Sequence, residues 1–298
     1  WIKAKPEHLM QWPSPWGMGF PGWHIECSAM SEKYLGKKFD IHGGGMDLAA
    51  THHTNEIAQS QACYHTSPAN YWMHTNMLTV NGTRMSKSLG NGFLPEELFT
   101  GNHSLLEKAY APMTVRFFML QTHYRSTLDF SNEALQASEK GFKRLWDAYE
   151  VLKQFTAGEN KVASDTELDA KVNKRISEFD EFMNDDFNTA KVLGSMFELV
   201  PVINSMKDGI IKTDAIAATT LTLMQQKFKA YLEDVFGLKN EVANNKTLNS
   251  VMDLLIEIRK EAKAKRDFVT SDKIRNQLAL AGINLKDEKG GEMSWEIN

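Results

Sequence analysis

Asn81-Gly82 is the pair that most constrains this chain. A two-residue hairpin turn needs positive φ at both central positions, and few other dipeptides supply it. Residues 71–80 alternate as a strand does, so the pair predicts a hairpin. Upstream, residues 39–42 read as a short strand leading into Gly43, Gly44 and Gly45, and residues 51–64 read as a helix. Strand, helix and strand make an α/β half-domain. Directly after the turn stands Arg84-Met85-Ser86-Lys87-Ser88-Leu89-Gly90-Asn91. A lysine flanked by serines on a polar loop can bring a positive charge and two hydroxyls to the phosphates of ATP while charge moves onto pyrophosphate. Read alone, the same octet is an ordinary solvated turn.

A second constellation is Cys27 with His52 and Glu56. His52 and Glu56 are four apart on the expected helix, so both leave one face, one turn apart. Thiolate, imidazole and carboxylate together suit zinc. The bland alternatives are a buried small Cys27, a capping or core His52 and a surface Glu56.

Four strings in fixed order decide between these readings: Trp23-His24-Ile25-Glu26-Cys27-Ser28-Ala29-Met30, then Phe39-Asp40-Ile41-His42-Gly43-Gly44-Gly45-Met46-Asp47-Leu48, then His52-His53-Thr54-Asn55-Glu56, then the lysine loop. Together they resemble the cysteinyl-tRNA synthetases, a family of class I aminoacyl-tRNA synthetases. The resemblance implies one zinc per chain, held by Cys27, His52, Glu56 and a further cysteine near the N-terminus of the full enzyme. No cysteine precedes Cys27 here, and no His-Ile-Gly-His type motif is present. The chain is therefore expected to be the C-terminal portion of a longer enzyme, lacking the N-terminal half of the catalytic domain. In the lysine loop, Lys87 matches the family's phosphate lysine. Arg84 stands where the signature has its first lysine and keeps the charge.

By the same match, Trp23 and His42 belong to the cysteine pocket, the indole as a wall and the imidazole orienting the substrate. Gly43, Gly44, Gly45 and Asp47 fall to the adenylate, although Asp47 could instead cap the following helix. The glycines let backbone approach a ligand but are not a P-loop, which needs a following Lys-Ser/Thr. His24 and His53 are either supports around the metal or satisfied core histidines. The family usually places a proline before the paired histidines and an acid after them, where this chain has Thr51 and Thr54. Thr51 is an acceptable N-cap.

Length and composition agree with about two domains. The 298 residues are 42% hydrophobic and 24% charged, with two cysteines far apart. That fits a soluble protein of a reducing cytoplasm, without disulfides. No run approaches the roughly 18 apolar residues of a membrane span. The net charge of −4 argues against a generic nucleic-acid sponge, so RNA contact would rest on local basic surface. Arg259, Lys260, Lys263, Lys265, Arg266, Lys273 and Arg275 form one such candidate, or else a solvated helix face.

The fold expected is α/β followed by mostly α: the second half of a Rossmann-like class I catalytic domain, a helical bundle and a small C-terminal anticodon-binding module. Residues 1–95 are the catalytic half with the zinc site and lysine loop, and 96–155 a stem-contact helical connector. Residues 156–238 are a tRNA-binding bundle and 239–298 the anticodon module. Residues 12–17 read as an extended entry, while 105–124, 131–155 and 166–200 have helical spacing. Asn188 or Thr189 is a plausible cap. Residues 237–249 read as a hinge, followed by two helices over 248–281 and a small hairpin. By resemblance, Phe268 could stack on a base, and Asp272 and Asp287 could accept from base edges. Phe268 could equally be core, and Asp287 could simply open a turn.

The resemblance implies ATP, bound with Mg, activating L-cysteine to cysteinyl-adenylate, then transfer to tRNA(Cys). Zinc would hold the substrate thiol as a thiolate and so separate cysteine from serine. A monomer is expected, and this chain alone is expected to be inactive. Two alternatives stand: a cysteine ligase paralogue acting on an amino sugar, and a non-catalytic tRNA-binding fragment.

Overall fold

The computed structural model describes residues 1–240, 246–287 and 293–297. They form two compact units, Trp1–Leu238 and Lys239–Asn298. Among the described residues no helix is long and apolar enough to cross a membrane.

The first unit opens with a two-stranded antiparallel ribbon, β1 (Ile2–Lys3) and β2 (Gly19–Phe20). The connection is not extended at residues 12–17 as expected. Ser14 and Gly17 exchange backbone hydrogen bonds at 3.2 and 3.0 Å, and the Ser14 hydroxyl donates to the Gly17 carbonyl at 2.7 Å. Gly17 takes φ 99°, which closes the turn. Helix α1 (His24–Leu35) then leads to β3 (Phe39–Gly45), a helical run and β4 (Ala69–Thr75). β3 and β4 pair in parallel, with His42 opposite Trp72 and Gly44 opposite His74. The three glycines therefore lie inside the strand rather than after it.

The run between these strands starts earlier than residue 51. It comprises α2 (Met46–Leu48), a π-helical turn Ala49–His53 and α3 (Thr54–Tyr64), with Gly45 in the N-cap place. Thr51 lies inside it and caps nothing, and Asp47 makes no capping hydrogen bond.

The strand expected over 71–80 is two strands. β5 (Leu78–Val80) begins after Asn76-Met77, where the Asn76 carboxamide accepts from the Met77 N–H at 2.7 Å and the Asn76 N–H donates to the Tyr124 carbonyl at 2.9 Å. The break lets the chain leave β3 for a second sheet. There β5 meets β6 (Thr83–Arg84) across the Asn81-Gly82 turn, at φ 49° and 75°, and β7 (Leu128–Phe130) on its other side in parallel.

After α4 (Pro95–Thr100), helix α5 spans only Pro112–Leu120 of the expected 105–124. Proline opens a helix readily but not its interior. The preceding loop is bound instead by Asn132, which accepts from the Glu107 N–H at 2.9 Å and donates to the Leu105 carbonyl at 2.8 Å. A small core of Val80, Leu98, Tyr110, Val115, Phe118, Phe130 and Leu135 joins this sheet to its helices.

The larger core belongs to α6 (Asn132–Gln154), α7 (Thr166–Asn184), α8 (Thr189–Lys207) and α9 (Ala218–Lys229), with a π-helical end Ala230–Val235. Ser131 caps α6, Asp165 caps α7 and Asn188 caps α8, each side chain accepting a backbone N–H. Leu145, Leu152, Phe179, Met196 and Phe228 are all fully buried. Each such side chain contributes about 1.5–3 kcal/mol by leaving water. The second unit holds α10 (Lys246–Ala264), α11 (Phe268–Leu280) and an antiparallel pair, β8 (Ile283–Asp287) with β9 (Met293–Ile297). Its buried side chains include Met252, Ile256, Ala262 and Ile283.

Candidate metal site and lysine loop

The β3–helix–β4 unit gathers the chemistry of the first unit. α1 packs on α3, which brings Cys27 toward the helix carrying Glu56. Sulfur, nitrogen and oxygen ligand atoms of Cys27, His52 and Glu56 all lie within 4.8 Å of one another. His52 and Glu56, 5% and 1% exposed, approach at 2.9 Å between Nε2 and Oε1. That contact lacks hydrogen-bond alignment. Glu56 Oε1 and His52 Nδ1 are both buried and accept no hydrogen bond among the described residues.

A second trio, His42, His53 and Glu56, also has its ligand atoms within 4.8 Å of one another and shares the carboxylate. His42 Nε2 stands 3.4 Å from Glu56 Oε2. Trp23 lies over His52 with ring centroids 4.0 Å apart. The expected pocket residues Trp23 and His42 thus border the expected metal ligands.

His74 and Trp72 carry no sequence signal of their own, yet both line this cluster. His53 Nδ1 and His74 Nε2 are 2.8 Å apart, and Trp72 packs on both His42 and His53. The parallel register of β3 and β4 sets them there, and that pairing is what a linear reading misses. Gly44 is needed for space. A Cβ on it would sit 2.8 Å from His53 Cε1 and 3.1 Å from Leu48 Cδ1.

Burial dominates the electrostatics. It pushes Glu56 up to about 7. It lowers His53 to about 4, with His42, His74 and His52 adding to the effect. His42 and His52 are lowered by burial and then by neighbouring imidazoles, and Cys27 is raised by burial and then by Glu56 and Glu26. The result is a set of neutral imidazoles around a carboxylate in poor solvent. Such a donor set suits a cation. The second cysteine, Cys63, is exposed on α3.

The lysine loop sits on the other sheet, at the end of β6. Ser86 is extended and its hydroxyl accepts from the Leu89 N–H at 3.3 Å, capping a 3₁₀ turn Lys87–Leu89. Asn91 braces the loop, accepting from the Ser86 N–H at 2.8 Å and donating to the Arg84 carbonyl at 3.1 Å. Arg84, Lys87 and Ser88 are exposed, while Met85 and Ser86 are half-buried. The side chain of Lys87 makes no ion pair among the described residues.

Residues 1–140 match the family of tRNA synthetases class I (C) catalytic domains, and residues 178–240 match the DALR domain. A cysteine–tRNA ligase of Bacteroides thetaiotaomicron is 49% identical over all of this chain, and one of Porphyromonas gingivalis is 47% identical. Along its whole length the chain is similar to cysteine–tRNA ligases. A more distant one, from Chlorobaculum tepidum, is 42% identical over 98% of the chain. The chain spans about 59% of the length of the first of these relatives. Among solved structures, an Agrobacterium radiobacter LeuRS–tRNA–LeuAMS complex aligns at TM-score 0.47 and 18% identity, over 68% of this chain and 28% of that one.

The residues taken from the family for anticodon contact lie in the second unit. Phe268 is 61% exposed at the start of α11 and so is not core. Asp272 is occupied by Arg275, 3.1 Å away. Asp287 ends β8 opposite Met293, and its side chain lies outside the described residues, as does the turn after it. The basic candidate over 259–275 is not one solvent face, because Arg259 is 1% exposed.

Proposed function

We propose that this chain is the part of a cysteine–tRNA ligase that selects cysteine and completes the ATP site, and that it also carries tRNA-binding domains. The observation that carries the reading is the convergence of Cys27, His52 and Glu56 beside Trp23 and His42. Two buried acceptor atoms without hydrogen bonds, in a sulfur, nitrogen and oxygen set, fit a zinc ion. Cys27, His52 and Glu56 would hold it. Zinc in such a site keeps a substrate thiol ionised, which an alcohol such as serine cannot match.

The rest falls to the protein's own groups. Trp23 covers His52 and would exclude water from the pocket. His42 is held neutral by burial and offers one donor or acceptor to orient the substrate amine or carboxylate. The cysteine carboxylate attacks the α-phosphate of ATP, brought in with Mg, and pyrophosphate leaves. Lys87, on its braced loop, would neutralise charge developing on the leaving phosphates. The ribose hydroxyl at the 3′ end of tRNA(Cys) then takes the acyl group and AMP departs. Gly43, Gly44, Gly45 and Asp47 line the adenylate side in this reading. Residues 96–155 and 156–238 serve the tRNA stem, and 239–298 the anticodon through Phe268, Asp272 and Asp287. The protein works as a monomer in the cytoplasm.

The test is charging of a cysteine tRNA with labelled cysteine and ATP, by this chain and by a form extended at its N-terminus to the relatives' length. Charging by the extended form alone supports the reading in full. Ligation of cysteine to an amino sugar, with no tRNA charging, overturns it.

A further inference from the structure

The lysine loop is held at two places, each by a side chain that bonds to backbone. The first hold is in the turn ahead of the loop. Asp129 on β7 accepts through Oδ1 from the Gly82 N–H at 2.8 Å and from the Thr79 hydroxyl at 2.6 Å. Beside it the Asn81 N–H donates to the Phe130 carbonyl at 3.0 Å. The Asn81-Gly82 turn is thereby pinned to β7, whose Phe130 is buried in the small core. Pairing of β5 with β6 sets Arg84 opposite Thr79, and the Met85 N–H continues that ladder to the Leu78 carbonyl at 3.1 Å. The position fixed by Asp129 is carried in this way to the first residues of the loop.

The second hold closes the neck. Met85 and Phe93 flank the loop in sequence, and both pack against the same small core. Between them Asn91 uses both ends of its carboxamide, Oδ1 for the Ser86 N–H at 2.8 Å and Nδ2 for the Arg84 carbonyl at 3.1 Å. A carboxamide presents a donor and an acceptor on one planar group, and the neck needs both. The Ser86 hydroxyl is engaged within the loop, accepting from the Leu89 N–H at 3.3 Å and lying 3.2 Å from the Ser88 hydroxyl. Lys87 is different, because its side chain is exposed and unpaired among the described residues. The reach of its flexible stem is therefore set by the backbone beneath it, which Asn91 and Asp129 hold.

We propose that Asn91 and Asp129 are positioning residues for Lys87, Asn91 closing the neck of the loop and Asp129 fixing the hairpin that presents it. The inference rests on the phosphate role given to Lys87 above. A misplacement of about 1 Å in a group that acts on a transition state can cost about 100-fold in rate. Asp129 acts through the geometry of one accepting oxygen, so an amide in its place should serve nearly as well.

The experiment has two readouts. Amide hydrogen exchange on the full 298-residue chain reports the holds themselves. Asn91→Ala should speed exchange over residues 84–91 and Asp129→Ala over 79–83, while α6 and α8 stay protected and so establish folding. Cysteine-dependent pyrophosphate exchange by the form extended at its N-terminus reports the consequence. Each alanine variant should lower kcat by about 10–100-fold and leave the KM for cysteine unaltered. Asp129→Asn keeps the accepting oxygen and should restore most of the rate, whereas Asn91→Asp lacks the donor and should restore only part. In a Lys87→Ala background neither alanine change should cost more than about twofold further, since nothing is left to position. Losses that multiply in full there, unchanged amide exchange, or a parental kcat in variants whose loops exchange faster would each overturn the proposal and leave the ligase reading standing. A parental kcat for Lys87→Ala alone would overturn the phosphate role and the positioning with it. No exchange by the extended parent would overturn the ligase reading, and with it the role for which Lys87 is held.

Discussion

The Tyr124 hydroxyl donates to Asp186 Oδ1 at 2.5 Å, while Arg125 Nε stands 2.9 Å from Oδ2 of the same carboxylate. Asp186 and its neighbour Phe187 both take left-handed backbone conformations, at φ 62° and 54°. Two such residues without a glycine are costly, and the surrounding contacts must hold them. The Thr189 hydroxyl adds a bond to the Leu120 carbonyl at 2.7 Å. The Tyr124 and Arg125 carbonyls in turn hold Asn76, at the break between β4 and β5. The α7–α8 turn therefore fastens the helical bundle to the strands that carry the candidate site.

Asp186→Ala removes the carboxylate's interactions with Tyr124, Arg125 and His123 and keeps the left-handed backbone requirement. It should cost about 1–3 kcal/mol. Urea denaturation of the chain measures it. A loss below a few tenths would mean that the contacts are incidental.

Acid should loosen the bundle through Glu178 and Asp180. Burial would raise Glu178, but Arg175 and the Ser195 hydroxyl outweigh it and hold the carboxyl below its ordinary range. Asp180 is held low by Lys227 and Tyr231. A carboxyl whose folded pKa is depressed contributes stability above its unfolded value near ~4, and that contribution is lost as pH falls through the folded value. Unfolding midpoints should therefore fall as pH drops below ~4, and Glu178→Gln should flatten that dependence. An unchanged slope in the variant would remove Glu178 from the account.

Gly44→Ala tests the packing of the histidine cluster. The new methyl displaces His53 and so disturbs its contacts with His74 and His42. Losses around metal ligands of this kind typically reduce affinity by about 10–100-fold. Competition against a chelating dye reads the change, and wild-type zinc affinity would contradict the expectation.

Lys87→Ala should leave stability unaltered, since the side chain is exposed and unpaired among the described residues. In the extended enzyme the same change should slow adenylate formation by roughly 100-fold or more, the scale of losing one transition-state donor. Measured pyrophosphate exchange within threefold of the parent would exclude a phosphate role.

Local signals explain what the sequence revealed. Asn81-Gly82 announces its hairpin, Ser131 and Asn188 announce helix starts, and the four-residue spacing of His52 and Glu56 sets them on one face. Long-range pairing explains most of what it hid. β7 joins β5 from about 50 residues away, and His74 reaches His53 only because β4 lies in register with β3. Asn76 looks like an unremarkable strand residue until the Tyr124 carbonyl takes its N–H. Arg259 belongs to a basic run by composition, yet its side chain is buried. The proximity of Cys27 to His52 came from family resemblance, because 25 residues of chain carry no distance information.

Zinc content measured on the purified chain and on Glu56→Gln tests the central claim most directly. One zinc per chain in the parent, released or much weakened in the variant while the fold is retained, is the predicted result. A parent that binds no zinc when titrated at neutral pH, or a variant that binds it equally well, would contradict the site.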